Sequence, residues 1–518
     1  MKVIFTYLFI FFATAVFGQT NFVSQHSFYK DHVFANKLEK SYNGGSFFPL
    51  TEREYDIVPA IIDSSKQCYD FTITLFRKHL FELKGKDFHI GISPMLDISR
   101  GKDFADTSDR KLFQNTRGFI VEGDFFKNFS FMTSFYENQA RFTQYESDVF
   151  SALGELYPKN SNYLTQNAVI PGSGRTKAFK DGGFDYAYAI GNIVYTPIKQ
   201  LTLSTGNNQH FIGDGHRSLL LSDHSYSSPY FMVDWQISPK FRFSYMRSRL
   251  MNLIRKPATS SVESFYEAKG HSVNYFTYQP NEKVNISLFE GAIWNRGDSV
   301  TSHASHPMFY NPIPALSSLA LMNKGELNSI IGLNLGVQVA DKHHAYGQVA
   351  LNGSRFDKVG FQLGYRGYNF FGLQDFMIQF EYNNVPLGLY EADNKRLSYS
   401  HYNMSLGHSR GNGFQEILLR SNYEFKRFYA GLSLNYYLLE DYDELDLLPV
   451  TKDAIWYNQE SFTVLNTSVE VGYRINRKLN FTVFTSATVR GTTQADKRNT
   501  SFFNFGLRTD LNNHYSDF

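Results

Sequence analysis

The sequence predicts an all-β fold, a transmembrane antiparallel β-barrel of about 18 strands, on three observations. Aromatic residues make up 17% of the chain, with 34 Tyr and 50 Phe. Apolar and polar residues alternate with a period of two along many segments, and short turns alternate with long polar stretches. A lipid-facing barrel needs this alternation and these aromatic belts. The mean hydropathy is -0.34, and no apolar run after the N-terminus is long enough for a helical span.

The first 18 residues have the pattern of a secretory signal peptide. Lys2 provides the basic start, residues 3–17 form an apolar stretch, and Gly18 is a small residue at the end. That stretch is too short for a membrane anchor. We expect the mature chain to begin near Gln19, outside the cytoplasm.

Cysteine count and net charge exclude some classes of protein. Cys68 is the one cysteine, so no intramolecular disulfide is possible. The net charge of +2 gives no reason to expect a nucleic-acid partner.

Residues 19–86 have a sequence pattern different from that of the barrel strands. They are predicted to form an N-terminal periplasmic segment with two short helices. Thr51 and Glu54 have capping-box spacing before apolar residues at helical intervals. A second helix is predicted over residues 70–83, with Leu80 and Leu83 on one side. The helices could close the barrel floor like a plug, or the segment could be a loosely attached linker.

The barrel is predicted to occupy residues 87–518. Near its end, Val469, Val471 and Tyr473 alternate with Glu470 and Gly472, which places apolar side chains on one face of a strand and polar ones on the other. After a short turn the pattern resumes, so the two segments form a hairpin.

Reading the chain for this hairpin unit gives a consistent strand count. The short turns lie near residues 127–128, 196–199, 238–240, 280–283, 341–343, 368–373, 426–427 and 476–478. The longer polar stretches are 143–182, 208–228, 251–270, 295–329, 384–413 and 439–462. Short turns are expected on the periplasmic side and long loops outside. The number of strands is even if the opening strand covers 87–98, the final strand covers 501–511, and residues 397–407 form an extracellular excursion. The terminal Phe518 resembles the recognition end of barrels folded by the outer-membrane insertion machinery.

One stretch, residues 204–223, differs in composition from the rest of the chain. Its amides, aspartates and arginine are groups that hydrogen-bond sugar hydroxyls and carboxylates, and its glycines permit close backbone approach. A polysaccharide site is one interpretation; a structural loop folded into the lumen is the other. The upstream stretches 169–175 and 181–186 could share its pocket or only shape the loop. The predicted ligand residues are Asn207, Asn208, Gln209, Asp214, His216, Arg217, Ser218 and Asp223, with Arg175 from the upstream stretch.

Catalytic and metal sites are not predicted. Asp214, His216 and Ser218 lie on one extended segment, but adjacency in sequence does not provide the geometry of a hydrolytic triad. Four other histidines lack metal-ligand spacing, so no metal or cofactor is assigned: His303, His306, His343 and His344.

Three motifs carry a resemblance to a known family. "STGNNQHFIGDGHRSLLLSD" from residue 204, "IPGSGR" from residue 170 and the closing "FFNFGLRTDLNNHYSDF" resemble the Wzi-like capsule-assembly outer-membrane proteins. The resemblance is greatest to a branch associated with gliding motility in gliding bacteria. It implies a barrel of about 18 strands with a helical periplasmic element, and a lectin-like role without chemistry on the polymer.

The sequence therefore favours a non-enzymatic protein of the Gram-negative outer membrane that attaches or organises exported polysaccharide. One rival is an accessory protein of gliding motility or secretion whose loops bind a protein partner. A second rival is a diffusion channel, which lumen-facing polar residues would suit. An outer-membrane hydrolase comes last.

Overall fold

The computed structural model describes residues 22, 26–40, 46–51, 79–108, 110–126, 128–159, 162–255, 266–296, 306–321, 324–440, 461–477, 479–494, 498–509 and 515–517. The predicted signal peptide and most of both predicted helices lie outside these residues. Among the described residues, no helix is long and apolar enough to cross a membrane.

Eighteen antiparallel strands form one closed barrel, as the sequence predicts. Each strand pairs with its neighbours in the chain, and the last pairs with the first through Phe502 opposite Asp103 and Arg508 opposite Asp97. The strands are β1 Phe88–Asp103, β2 Leu112–Phe125, β3 Phe129–Arg141, β4 Gly183–Ile198, β5 Leu201–Asn208, β6 Ser228–Ser238, β7 Phe241–Arg255, β8 Tyr266–Asn281, β9 Val284–Asn295, β10 Leu327–Ala340, β11 His343–Asn352, β12 Val359–Tyr368, β13 Phe376–Val385, β14 Phe414–Phe425, β15 Phe428–Leu439, β16 Phe462–Asn476, β17 Phe481–Thr492 and β18 Thr500–Arg508.

All eight predicted short turns join neighbouring barrel strands at one end, which we call the short-turn rim. The longer connections lie at the other end, the long-loop rim. Residues 397–407 stay outside the barrel sheet, as predicted, and contain the small hairpin Ser400–His401 and Met404–Ser405. The predicted loop 251–270 is shorter than expected, because β7 and β8 reach Arg255 and Tyr266.

Side chains alternate across the barrel wall as the period-two pattern predicts. On β16, Val469 and Val471 are exposed on the outside, whereas Arg474 is buried inside. On β2 and β3 the outward rows from Phe125 and Phe129 up to Phe119 and Phe135 are mostly apolar. These rows span seven residues per strand, roughly 20 Å of strand, close to the ~25 Å apolar band of such barrels.

The N-terminal segment contains a helix that the sequence did not predict. Helix α1, Ser27–Lys40, sits inside the barrel near the short-turn rim. The Tyr368 hydroxyl donates to the Asp31 carbonyl at 2.9 Å, and the Arg474 guanidinium lies 4.2 Å from the Phe28 ring. The predicted helix over 70–83 is wrong at its end, because Phe81–Lys84 is a strand paired with β1.

The remaining elements are short and lie in connections. They are helices α2 Gln144–Ala152 and α3 Leu316–Leu321, the 3-10 turns Pro307–Tyr310, Phe370–Gly372 and Lys395–Leu397, and the short strands Phe47–Phe48, Glu155–Lys159, Asn162–Gln166, Val169–Ile170, Gly174–Arg175, Lys177–Phe179 and Phe211–Ile212.

The final strand ends three residues earlier than predicted. It ends at Arg508, and the chain then returns into the lumen, where Tyr515 is buried. The terminal Phe518 lies outside the described residues.

Candidate functional site: a filled lumen and a cavity at the long-loop rim

The distinctive stretch 204–223 leaves β5 and turns into the barrel. Asp214, Arg217, Ser218 and Asp223 are all at most 4% exposed. Leu219, Leu220 and Leu221 pack in one apolar cluster with inward-facing residues of the wall from β6 to β16. We call residues 26–40, 46–51, 209–227 and 515–517 together the plug, because these segments fill the lumen and bind one another.

Arg217 is held at the centre of the plug by three acceptors. Its Nη2 lies 3.0 Å from Glu416 Oε1 on β14, 3.0 Å from the Tyr437 hydroxyl and 2.6 Å from Asp517 Oδ2 in the C-terminal tail. Glu416 also contacts His408 Nε2 at 2.8 Å. A buried guanidinium needs such charged partners, so Arg217 joins the plug, the wall and the tail.

Asp214 connects the stretch to the N-terminal part of the plug. The Ser46 hydroxyl donates to its Oδ1 at 2.5 Å, and His344 Nε2 lies 3.4 Å from its Oδ2. The neighbouring strand Phe47–Phe48 pairs with Phe211–Ile212. Gly213, with φ of +142°, is required here, because a Cβ would lie 2.5 Å from the Gln348 amide nitrogen.

Asp223 joins α1 to the C-terminal tail. Lys30 Nζ donates to its Oδ2 at 3.0 Å, and the Tyr515 hydroxyl donates to its Oδ1 at 2.5 Å. Burial lowers the pKa of Lys30, whereas the charge of Asp223 opposes that shift.

The "IPGSGR" stretch packs directly on the same segment. The Gln209 amide donates to the carbonyls of Gly172, Asp223 and Ser225 at 3.2, 3.1 and 2.7 Å. The Gly172 amide in turn donates to the His224 carbonyl at 2.9 Å. The three motifs that carry the family resemblance thus meet in one place, although they are far apart in the chain.

The other predicted ligand residues also have partners within the protein. Asn207 lies in the wall, where its amide donates to the Ala189 carbonyl at 3.0 Å and to the Ser227 hydroxyl at 2.8 Å. Asn208 accepts from the Gln209 backbone at 2.9 Å. The Ser218 hydroxyl donates to the Ile212 carbonyl, and the His216 backbone donates to Glu381.

Burial holds the imidazoles of His210 and His224 in the plug neutral. Burial lowers the pKa of His210 to about 3, and burial with the nearby charge of Arg217 lowers the pKa of His224 to about 3. An imidazole away from water and without a carboxylate partner disfavours the charged form. These histidines therefore act as uncharged packing groups at neutral pH.

An open cavity of about 790 Å³ lies at the long-loop rim, which we call the rim cavity. It lies where β5 and β6 stop at Asn208 and Ser228, while the neighbouring strands β4 and β7 extend farther toward the long-loop rim. Its lining combines aromatic, charged and amide side chains from barrel strands and from connections: Asn115, Arg117, Glu137, Asn138, Gln139, Arg175, Thr176, Lys177, Asp185, Tyr186, Ala187, Tyr226, Met251, Tyr266 and Tyr402.

Glu155 anchors one side of the rim cavity. It accepts from Arg175 Nη1 at 3.2 Å and from Arg255 Nε at 3.0 Å, and it also bonds the Tyr266 hydroxyl. Burial alone would raise the pKa of Glu155, but the hydrogen bonds from Arg255, Tyr266 and Asn167 lower it. Arg175 and Tyr266 are thereby fixed in the cavity wall.

The sequence predicted parts of the rim cavity but not the complete cavity. Of the predicted ligand residues, Arg175 lines it, and the upstream stretch 181–186 contributes Asp185 and Tyr186. Tyr226 and Tyr402 come from two separate connections and Tyr266 begins β8, and only the barrel closure brings them together.

Comparison with solved structures shows what the fold is similar to. It is Wzi, an outer-membrane protein involved in group 1 capsule assembly in Escherichia coli and described as a carbohydrate-binding β-barrel, with a TM-score of 0.58, 12% identity, and coverage of 95% of this chain and 100% of that one. The chain thus has a closed antiparallel β-barrel fold similar to that one.

Other solved structures are less similar. They include OccAB2 of Acinetobacter baumannii, with a TM-score of 0.41, 9% identity and coverage of 81% and 97% of the two chains. OprD of Pseudomonas aeruginosa has a TM-score of 0.42, 10% identity and coverage of 82% of this chain and 96% of that one. No protein-family model matches the chain, and no curated protein matches it.

Proposed function

We propose that this protein holds exported polysaccharide at the surface of a Gram-negative cell, binding the polymer without chemistry on it. The observation that carries the proposal is the contrast between a filled lumen and an open cavity at the long-loop rim. The described plug occupies much of the barrel interior and leaves a cavity of about 220 Å³ beside α1, so a polymer is expected at the larger cavity of the rim. The likeness of the fold to a carbohydrate-binding barrel supports the same role.

The rim cavity suits a carbohydrate chain in size and chemistry. Its volume of about 790 Å³ lies within the ~300–1,000 Å³ range of ligand sites. Tyr226 and Tyr402 supply aromatic faces, with ring centroids 4.5 Å apart, which can stack on the apolar faces of sugar rings. Arg175, Gln139 and Asp185 supply donors and acceptors for hydroxyl and carboxylate groups.

The nine ligand residues predicted from the sequence divide into two roles in this proposal. Arg175 is expected to contact the polymer, because it lines the cavity. The other eight are Asn207, Asn208, Gln209, Asp214, His216, Arg217, Ser218 and Asp223. We propose that they shape the floor below the cavity through their bonds to the plug and wall. The long-loop rim faces the cell exterior, as is usual for barrels of this kind.

A retention assay tests the proposal in cells. A strain lacking the gene should shed polysaccharide into the medium, and the wild-type gene should restore retention. Tyr402→Ala and Asp185→Asn should fail to restore it. Tyr310→Ala is the matched control, because Tyr310 is 60% exposed in another long connection.

The rival functions correspond to other outcomes of the same experiment. Retention that is unchanged by loss of the gene, with lost spreading on agar, would contradict the proposal and favour a motility or secretion accessory with a protein partner. Steady conductance of the purified protein would favour a diffusion channel.

A further inference from the structure

The barrel seam, where β18 meets β1, is completed by a strand from outside the 18. β18 ends with Arg508 opposite Asp97, whereas β1 continues toward the short-turn rim as far as Phe88. The strand Phe81–Lys84 pairs with His89–Ile92 and covers the edge of β1 that β18 leaves open. A short added strand of this kind is held by few backbone hydrogen bonds, so side-chain contacts must contribute to its attachment.

The side chains of this strand divide between lipid and lumen. Phe81 and Leu83 are 65% and 63% exposed beside the outward Ile92 and Ile90. Glu82 lies opposite Gly91 and shares the inward side of β1 with His89. The preceding His79 is buried over Gly91, where a Cβ would lie 2.3 Å from the imidazole ring. Gly91 therefore leaves room for this imidazole against the wall.

We propose that His79, Glu82 and His89 bind one divalent transition-metal ion, with zinc as the best-matched type, at the short-turn end of the seam. One ligand atom from each of the three lies within 4.8 Å of the others. His89 Nε2 is 3.3 Å from Glu82 Oε1, and the two imidazole centroids are 5.6 Å apart. Donors in a tetrahedral zinc site lie ~3.4 Å apart, so metal binding requires movements of only about 1 Å.

Two further carboxylates on β2 face the same place. Glu122 Oε1 lies 3.3 Å from His79 Nε2. Asp124 lies directly opposite His89 and is 9% exposed, and its Oδ2 has no hydrogen-bond partner among the described residues. An unpartnered buried carboxylate oxygen is costly unless a cation or donor approaches it. A bound metal ion would supply that positive charge.

The donor set selects the kind of metal. Two imidazoles with carboxylates are the ligands that zinc and similar transition metals prefer, whereas calcium requires six to eight oxygens. The Ser93 hydroxyl lies 3.2 Å from His79 Nδ1. A bond from Nδ1–H to this oxygen would orient the ring and leave Nε2 as the metal ligand. The ion would then join the added strand to β1 and β2, independently of any polysaccharide at the other rim.

Zinc titration of the full chain in detergent tests the site. Protein stripped with a chelator should bind one zinc ion per chain, measured by calorimetry and by elemental analysis after gel filtration. His89→Ala and the isosteric Glu82→Gln should weaken binding more than tenfold, and Ser93→Ala by roughly 10–100-fold. His306→Ala is the control, because His306 is exposed beyond the other end of the barrel.

Folding of each variant is checked by its heat-dependent migration in gels, and zinc should slow amide exchange in residues 81–84 of the wild type. The proposal is overturned if wild-type protein binds no stoichiometric zinc, or if folded Glu82→Gln binds zinc as tightly as His306→Ala does. Equal affinity for calcium would also overturn it, because that result would exclude the imidazoles as ligands.

Discussion

Replacement of Arg217 by Met should open the plug, because it leaves Glu416 without its cation. The Arg217 side chain is 1% exposed and Glu416 is fully buried, with Nη2 and Oε1 3.0 Å apart. Removal of one partner from a buried ion pair costs about 3–5 kcal/mol, since the remaining charge stays desolvated. Glu416 would keep His408 Nε2 at 2.8 Å, the amide of Asn383 at 2.8 Å and that of Asn435 at 3.1 Å, which favours the lower end of that range.

Amide exchange of residues 211–223 is the assay, because the plug can open while the barrel stays folded. A loss of about 3 kcal/mol corresponds to roughly 10²-fold faster exchange. Arg217→Met with Glu416→Gln should recover most of the protection, because the fully buried charge of Glu416 is removed and the remaining carboxylate of Asp517 is partly exposed to solvent. Arg498→Met is the matched control, since its ion pair with Asp148 is at the surface, where such pairs contribute about 0–1 kcal/mol.

Two results would refute this reasoning. One is protection in Arg217→Met equal to that in Arg498→Met. The other is amide exchange that is as fast in the double variant as in the single one. That result would mean that the lost contacts of Arg217 determine the opening and the buried charge of Glu416 does not.

The remaining predictions concern pH, conductance and the rim cavity. The pKa values of His210 and His224 fall from 6.5 to about 3 on burial, so between these pH values the unfolded plug binds more protons than the folded one, and stability decreases as pH falls below 6.5. At pH 5.5 each histidine should lower the stability of the plug by about 1.4 kcal/mol. Equal protection of the plug at pH 7.5 and 5.5, after correction for intrinsic exchange, would contradict this. In planar bilayers the protein should show almost no conductance, and deletion of residues 209–224 should create a channel; an open wild type would be inconsistent with a filled lumen. Glu155→Gln should release Arg175 and lower polysaccharide retention while the barrel still folds, and full retention by this variant would exclude the anchoring role of Glu155.

The barrel wall could be predicted because its signals are local. Alternation on β16 and the turn at 426–427 depend on neighbouring residues only, and strand parity then determined the total. The added strand Phe81–Lys84 was predicted as a helix end, since Leu80 and Leu83 have helical spacing. Phe81 and Leu83 instead alternate toward lipid, and pairing with β1 outweighs the local pattern.

The interior could not be predicted in the same way, because its contacts join distant parts of the chain. The sequence marked Arg217 and Asp223 as unusual but could not show that their partners are Asp517 and Lys30. Of the two interpretations left open for residues 204–223, the loop folded into the lumen describes their observed position. His79 and His89 likewise approach each other only because a hairpin brings Phe81–Lys84 onto β1.

The most direct test of the account is polysaccharide binding by the purified protein in lipid nanodiscs, measured with surface polysaccharide from its own source cells. We predict saturable binding that Tyr402→Ala abolishes and Tyr310→Ala leaves unchanged. Absence of binding by the wild type, or undiminished binding by Tyr402→Ala, would contradict the claim that the rim cavity holds the polymer.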